Sequence, residues 1–185
     1  MRIISGKYKG RPLVSFKADH IRPTMDRVKE TLFNKWMGHV EGARVLDLFA
    51  GTGNLGLEAL SRHAAHVTFV EKNSKSITII RENINLLKVT KDESLVIQKD
   101  VFSFLKLYAN EGFDLIFIDP PFTEKIAHDV MQALSLSKCT KAETLIAIEA
   151  IKQERIDAEY GDLICYDKQD YGDKSLSLFS KKVED

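Results

Sequence analysis

The chain has 185 residues, 44% of them hydrophobic, and its 27 Lys and Arg residues are balanced by 27 Asp and Glu. This is enough for one domain with its own core, and a net charge of zero argues against a general affinity for nucleic acid. No apolar run approaches the roughly 20 residues of a membrane helix, and residues 1–7 lack the apolar core of a signal peptide, so we expect a cytoplasmic protein without membrane contact.

The charge is distributed unevenly along the chain. Residues 1–40 carry nine Lys and Arg against three acids, so the remainder is acidic. Residues 2–15 are predicted to form a short β-hairpin or extended arm, in which Lys7, Lys9 and Arg11 alternate and share one face of a strand. Such a face suits phosphate groups, and the alternative is a solvated edge strand whose lysines prevent aggregation.

A helix is predicted to begin at Pro23 and to run to about Met37. Its apolar residues recur at helical spacing and are expected to pack in the core. They are Met25, Val28, Leu32, Phe33 and Trp36. Arg27 and Lys29 are expected on the other side of this helix.

The centre of the sequence is a strand, a glycine turn and a helix over residues 45–56. Gly51 permits a tight turn, Gly53 lets the backbone approach a ligand, and Gly56 lets the helix pack close to the strand. Glu71 follows the next apolar strand, twenty residues after Gly51, where an acid can accept hydrogen bonds from both ribose hydroxyls. These signals leave both a dinucleotide and S-adenosylmethionine open.

Strands and helices alternate through most of the chain, which predicts an α/β fold with a doubly wound, mostly parallel sheet. The predicted strands are 44–49, 66–71, 94–98, 113–118 and 143–149, and the predicted helices are 54–62, 74–88, 101–108 and 124–136. Two further strands, near 163–166 and 175–180, are close enough together to predict an antiparallel hairpin.

The apolar strand 113–118 leads into Asp119-Pro120-Pro121-Phe122. This tetrapeptide resembles the (D/N/S)-P-P-(Y/F/W) motif of amino-methyltransferases. Together with Arg22-Pro23-Thr24, Asp26-Arg27-Val28 and Lys29-Glu30-Thr31-Leu32-Phe33-Asn34, it resembles the bacterial family that methylates N2 of a guanine in 16S ribosomal RNA, over nearly the whole chain.

The resemblance implies a seven-stranded, Rossmann-like class I methyltransferase sheet, with strand seven inserted antiparallel beside strand five, and S-adenosylmethionine as cofactor. Asp47 would face the methionine end of the cofactor, with a loop-holding role as the alternative, and Asp100 would lie near the adenine or cap the following helix. The expected cofactor-binding residues are Asp47, Phe49, Gly51, Gly53, Asn54, Gly56, Glu71, Lys72, Asp100 and Val101.

The expected catalytic residues are Asp119, Pro120 and Phe122. Asp119 and the carbonyl of Pro120 would accept hydrogen bonds from the two N–H groups of the exocyclic amine, and Phe122 would stack on the flipped base. The sulfonium is already an activated leaving group, and the two cysteines form no metal-type cluster, so no metal is expected. Whether Asp119 or water takes the proton stays open.

Residues 41–185 are expected to form the catalytic part, and residues 1–40 an RNA-facing extension. The expected RNA-binding residues are Lys7, Lys9, Arg11, Arg22 and Arg27, and the expected partner is 16S rRNA within a small-subunit particle, bound by a monomer. A DNA N6-adenine or N4-cytosine methyltransferase, a nicotinamide-dependent oxidoreductase and a non-catalytic RNA-binding assembly factor are the alternatives.

Overall fold

The computed structural model describes residues 1–16 and 23–182. The helices are α1 (Pro23–Lys35), α2 (Asn54–Ser61), α3 (Ser74–Leu87), α4 (Val101–Leu107) and α5 (Ala127–Ser135). The strands are β1 (Arg44–Leu48), β2 (His66–Glu71), β3 (Ser94–Gln98), β4 (Phe113–Ile118), β5 (Thr140–Ile151), β6 (Glu159–Tyr160), β7 (Leu163–Tyr171) and β8 (Lys174–Lys181). No helix in these described ranges is long and apolar enough to cross a membrane.

All strands belong to one sheet in the order β3-β2-β1-β4-β5-β8-β7-β6. The first five strands are parallel, and β8 lies antiparallel between β5 and β7. The predicted α/β fold, the parallel core and the antiparallel hairpin are therefore confirmed. The predicted count of seven strands is wrong, because β6 adds an eighth, and two residues are too few to show a periodic pattern.

The strand positions follow from the apolar runs, since strands buried on both faces are nearly continuously hydrophobic. Helices α1, α2 and α3 cover one face, where Trp36 stacks on Phe117 with ring centroids 5.5 Å apart. Helices α4 and α5 cover the other face. Helix α5 begins three residues later than predicted, and Lys125 just before it has a left-handed backbone (φ 49°), which an α-helix excludes.

The N-terminal arm, defined here as residues 1–16, pairs with itself over a short stretch, between residues 1–3 and 10–13. Arg2 forms an antiparallel bridge with Pro12, the N–H of Ile3 donates to the carbonyl of Arg11 at 3.0 Å, and residues 5–10 form turns. Lys7 and Lys9 therefore do not share the face of a regular strand. Ile3 and Leu13 anchor the arm in the core beside α2 and α3, so the arm is part of the packed structure.

Candidate active site

The glycine loop, residues 49–53, leaves β1 in a backbone conformation that is costly for most side chains. Phe49, Gly51 and Gly53 all have positive φ, at 58°, 55° and 84°. Gly53 stands at the N-terminus of α2 and has no side chain with which to cap it. Asp47 on β1 takes over this role, because its Oδ2 accepts a hydrogen bond from the N–H of Gly56 at 2.9 Å.

Gly56 is where α2 packs directly against the sheet. A Cβ at this position would lie 2.3 Å from Cε1 of Phe69, 2.8 Å from Cγ1 of Val67 and 2.9 Å from Oδ2 of Asp47. Real Cβ atoms do not approach other atoms so closely. Gly56 therefore allows the close contact between α2 and the sheet that the sequence predicts.

Glu71 ends β2 and connects the glycine loop with the residue that caps α3. Its Oε2 accepts a hydrogen bond from the N–H of Gly51 at 2.9 Å, and its Oε1 accepts one from the N–H of Asn73 at 2.8 Å. Each carboxylate oxygen has a second lone pair that can accept a further hydrogen bond. Glu71 is thus fixed beside the glycine loop with acceptor capacity left for ribose hydroxyls.

Other residues expected to contact the cofactor have protein partners. Asp100 is exposed and caps α4, accepting a hydrogen bond from the N–H of Ser103 at 3.0 Å, while Val101 is buried. Lys72, which follows β2, pairs with Glu124 beyond β4 at 3.2 Å. Because β1 lies between β2 and β4 in the sheet, this ion pair spans the carboxyl end of β1, where the glycine loop begins.

Asp119-Pro120-Pro121-Phe122 follows β4 at the same edge of the sheet. The N–H of Asp119 lies 3.5 Å from the carbonyl oxygen of Leu48, the last residue of β1. The glycine loop and the Asp-Pro-Pro-Phe motif therefore meet, as the parallel order of β1 and β4 predicts. Burial and the negative charge of Glu149 raise the pKa of Asp119, Lys174 opposes both, and the net result is a pKa of about 7.

The sequence analysis missed two charged residues beside this motif. Glu149 on β5 and Lys174 on β8 form an ion pair, and Nζ of Lys174 lies 3.7 Å from the ring centroid of Phe122. Glu149 could have been noticed, because it is a lone charge in the apolar end of β5. No sequence signal points to Lys174, which reaches the site through the pairing of β8 with β5.

Lys29 was expected on the outer side of α1, and this is wrong. It is 2% exposed, pairs with Glu58 at 3.2 Å and donates hydrogen bonds to Oδ1 of Asn54 and the carbonyl of Arg2, each at 2.9 Å. The spacing contained this signal: Lys29 lies between Met25 and Leu32 on the apolar stripe. Burial lowers the pKa of Lys29, and the charge of Glu58 opposes that shift.

A small cavity connects these residues. Its volume is about 40 Å³, room for about three water molecules. Asp119 and Glu149 line it from the sheet, and Lys29 and Asn54 line it from the helices. The acceptor side of the site is therefore a small pocket under α1, in which these polar groups face a mainly apolar lining.

The N-terminal arm is joined to the same region. Asn83 on α3 bonds both the N–H and the carbonyl of Val14, at 2.7 and 3.0 Å, and donates to the carbonyl of Thr52 in the glycine loop at 3.1 Å. Glu58 accepts hydrogen bonds from the N–H groups of Ile4 and Ser5. The arm thus forms a fixed rim next to the cofactor loop.

The predicted RNA-binding residues differ in their surroundings. Lys7, Lys9, Arg11 and Arg27 are all exposed, and Lys7 also forms an ion pair with Glu93 at 2.6 Å. Arg22 lies outside the described residues. The structure places Lys9 and Arg11 on the rim described above, and their contact with RNA stays a prediction.

The insertion of β8 antiparallel beside β5, next to five parallel strands, is the sheet of a class I methyltransferase. The family model described as "Conserved hypothetical protein 95" matches residues 1–180. The chain belongs to that family, and the resemblance to the 16S rRNA (guanine-N2)-methyltransferases is confirmed.

Three relatives show how far the similarity extends. Ribosomal RNA small subunit methyltransferase D of Haemophilus influenzae is 39% identical over 155 residues, 83% of this chain and 80% of the relative. The Bacillus subtilis protein YlbH is 35% identical over 184 residues, 98% of this chain and all of the relative. The solved structure of Escherichia coli yhhF has a TM-score of 0.88 and 31% identity, and the match covers 100% of this chain and 99% of that one.

Proposed function

We propose that this chain transfers the methyl group of S-adenosylmethionine to the exocyclic N2 amine of a guanine in 16S ribosomal RNA. The observation that carries the proposal is the meeting of the glycine loop with Asp119-Pro120-Pro121-Phe122 at one edge of the sheet. Membership of the rRNA methyltransferase family supports the same activity.

The chemistry of the cofactor side fits S-adenosylmethionine better than a dinucleotide. A dinucleotide places its pyrophosphate at the N-terminus of the helix after β1, where free N–H groups are needed. Here Asp47 is bonded to the N–H of Gly56, and its carboxyl group would lie close to that phosphate. Acids beside the loop suit a ligand that carries a sulfonium and an ammonium group.

We propose that Glu71 holds the ribose, that the glycine loop and Asp47 face the methionine end, and that Asp100 and Val101 lie beside the adenine. Bound S-adenosylmethionine supplies a methyl group on an activated sulfonium. The protein's part is to align the acceptor nitrogen with that methyl carbon, and alignment of reactants alone lowers a barrier substantially.

On the acceptor side, the two N–H groups of the amine donate to the carboxylate of Asp119 and to the carbonyl of Pro120. These contacts turn the nitrogen lone pair out of conjugation with the ring and toward the methyl carbon. A pKa of about 7 lets Asp119 hold the released proton at neutral pH, which is the condition for an efficient general base.

A single base does not specify a site in a long RNA, so the chain needs a wider RNA-binding surface. We propose that Lys9, Arg11 and Arg27 provide it, with a smaller share from Lys7, and that Arg22 extends it. The proposed substrate is 16S rRNA within a small-subunit particle, and the proposed acting form is a cytoplasmic monomer.

The test is incubation of the protein with radiolabelled S-adenosylmethionine and small-subunit particles from cells that lack the gene, followed by nucleoside analysis. We expect the label in N2-methylguanosine, and none with Asp119→Ala. Label in another nucleoside, or none with the wild-type protein, would refute the proposed function.

A further inference from the structure

The three charged side chains at the acceptor side follow the order of neighbouring strands. Asp119 comes after β4, Glu149 lies on β5, and Lys174 begins β8. Ile118 pairs with Ile148, so the next residues, Asp119 and Glu149, stand level with each other at the carboxyl edge of the sheet. Both line the cavity under α1.

Lys174 reaches the same level because β8 runs antiparallel to β5. It pairs with Ile151, two residues beyond Glu149, and its ammonium group contacts the Glu149 carboxylate. The side chains of both residues are 20% exposed, so this pair is largely withdrawn from water. At the carboxyl edge of the parallel strands, the carboxylates of Asp119 and Glu149 are therefore two hydrogen-bond acceptors, and the ammonium group of Lys174 next to them is a donor.

Guanine presents the complementary order along its Watson–Crick edge: the N2 amine and N1–H are donors, and O6 is an acceptor. Adenine and cytosine have a ring nitrogen acceptor next to their exocyclic amine, and this acceptor would face the carboxylate of Glu149. The arrangement therefore matches guanine and opposes the two other bases with an exocyclic amine.

The position of Lys174 over Phe122 adds a second, independent observation. Its ammonium lies 3.7 Å above the ring centroid, at about the height of van der Waals contact, which is also the height of a base stacked on that ring. A base that stacks on this face of Phe122 enters the plane of the ammonium group. For a base to stack there, the ammonium would have to shift to the edge of the base, and a guanine would offer it O6 at that edge.

We propose that Glu149 and Lys174 determine specificity for guanine, with Glu149 accepting a hydrogen bond from N1–H and Lys174 donating one to O6 while Asp119 holds the N2 amine. This inference rests on the proposed function and goes beyond it, because it assigns the choice of base to two residues outside the Asp-Pro-Pro-Phe motif. It also explains an ion pair that cofactor binding does not require.

The test replaces the target guanine, first mapped by nucleoside analysis, with 2-aminopurine in reconstituted particles. 2-Aminopurine keeps the amine at C2 but lacks both N1–H and O6. We expect the wild-type kcat/KM to be at least tenfold higher for guanine, since hydrogen bonds to charged groups are among the stronger ones. Glu149→Leu also removes a charge beside Asp119, which affects both bases, so the readout is the ratio of the two rates. The rate on guanine relative to 2-aminopurine should fall about tenfold to hundredfold.

A matched control removes the carboxylate of another Lys–acid pair on the sheet. Asp170 on β7 pairs with Lys152 at 3.2 Å, and Asp170→Leu should leave both rates unchanged. Binding of S-adenosylhomocysteine and the melting temperature show whether each variant is folded. If Glu149→Leu slows methylation of the guanine and 2-aminopurine particles by the same factor, Glu149 does not determine specificity. If the wild-type protein leaves guanine unmethylated, the proposed function itself is refuted.

Conservative variants decide the question if turnover of 2-aminopurine is too slow to follow. Glu149→Gln keeps an acceptor for N1–H, and Lys174→Gln keeps a donor for O6. Each should retain at least ten times the guanine rate of Glu149→Leu and Lys174→Met, respectively. Equal rates within each pair would contradict hydrogen bonding to the base and leave the ion pair with a structural role only.

Discussion

Asp47 reaches from β1 to the first turn of α2, where its Oδ2 accepts a hydrogen bond from the N–H of Gly56 at 2.9 Å. Asp47 is 2% exposed, and burial raises its pKa well above the usual range. The same Gly56 has no room for a Cβ against Phe69. The hydrogen bond to Asp47 and the close packing against Phe69 therefore both hold α2 against the sheet at Gly56.

Gly56→Ala should destabilise the protein by about 1–3 kcal/mol, the usual cost of overpacking a core. It should also weaken binding of S-adenosylhomocysteine, because α2 must move away from β2 and carry the glycine loop with it. Calorimetry and thermal melting measure the two effects.

Gly42→Ala is the control. Its φ of 75° makes alanine strained, but a Cβ there has open space and lies far from the glycine loop. Loss of cofactor affinity in both variants would show that the effect is not local.

Glu71→Ala should weaken S-adenosylhomocysteine binding at least tenfold. The variant loses the proposed ribose contacts, each a hydrogen bond to a charged group, together with the contacts to Gly51 and Asn73 that hold the loop. Glu82→Ala, an exposed acid on α3, should bind like the wild type. Titration calorimetry with NAD should show no binding to any of these proteins. Unchanged affinity of Glu71→Ala for S-adenosylhomocysteine would contradict the assignment of Glu71 to cofactor binding.

Asp119→Ala should leave S-adenosylhomocysteine affinity nearly intact while methyl transfer falls by orders of magnitude, because the lost contacts are to the acceptor amine in the transition state. In the wild type, the single-turnover rate should rise with pH through about 7 and then level off, since only the ionised carboxylate can take the proton that the amine releases. A rate that is flat between pH 5.5 and 8.5 would contradict this role.

The raised pKa of Asp119 also has a cost in stability. Its carboxyl group binds a proton more tightly in the folded state, with a pKa of about 7, than in the unfolded chain, near the ordinary value of 3.8. Its contribution to the free energy of unfolding therefore falls as the pH rises from about 4 to about 7, and stays low above that. Asp119→Asn should raise the melting temperature at pH 8 and not at pH 4. An equal change at both values would show that titration of Asp119 is not the cause.

Local sequence patterns predicted the frame of the molecule well. The parallel strands are apolar runs bounded by turn residues, and β1 to β4 lie within a residue of their predicted limits. Asp119-Pro120-Pro121-Phe122 follows β4 as predicted, and its role on the acceptor side stays a prediction. Features of this kind depend on contacts between near neighbours in the sequence.

The parts that were not predicted depend on distant pairing. Lys174 meets Glu149 only because β8 pairs antiparallel with β5, and no local sequence pattern predicts the register of that pairing. Lys29 is buried because Glu58, 29 residues later, neutralises it, and without that partner a charge on an apolar stripe would be assigned to the surface. The strand β6 has only two residues and is defined by its partner β7.

Lys9 and Arg11 are the strongest candidates for RNA contact, because both are exposed on the arm that Asn83 ties to the glycine loop. Lys7 is paired with Glu93. Burial lowers the pKa of Lys7, but hydrogen bonds and charges from Glu93 and Tyr8 outweigh it and raise the pKa overall. The combined change Lys9→Ala and Arg11→Ala should therefore impair methylation of particles more than Lys7→Ala alone. Cofactor affinity should stay the same in both variants.

Salt dependence separates RNA contact from a general effect of charge. Each phosphate contact that is lost should reduce the slope of log affinity against log salt concentration by roughly one unit. The matched control is Lys106→Ala with Lys138→Ala, which removes two exposed charges from the other face of the sheet, near α4 and α5. We expect the arm variant to lose about two units of slope and the control to lose none. Equal slopes in the two variants would place the RNA-binding surface elsewhere, and the loop after Phe122 would be the next segment to mutate.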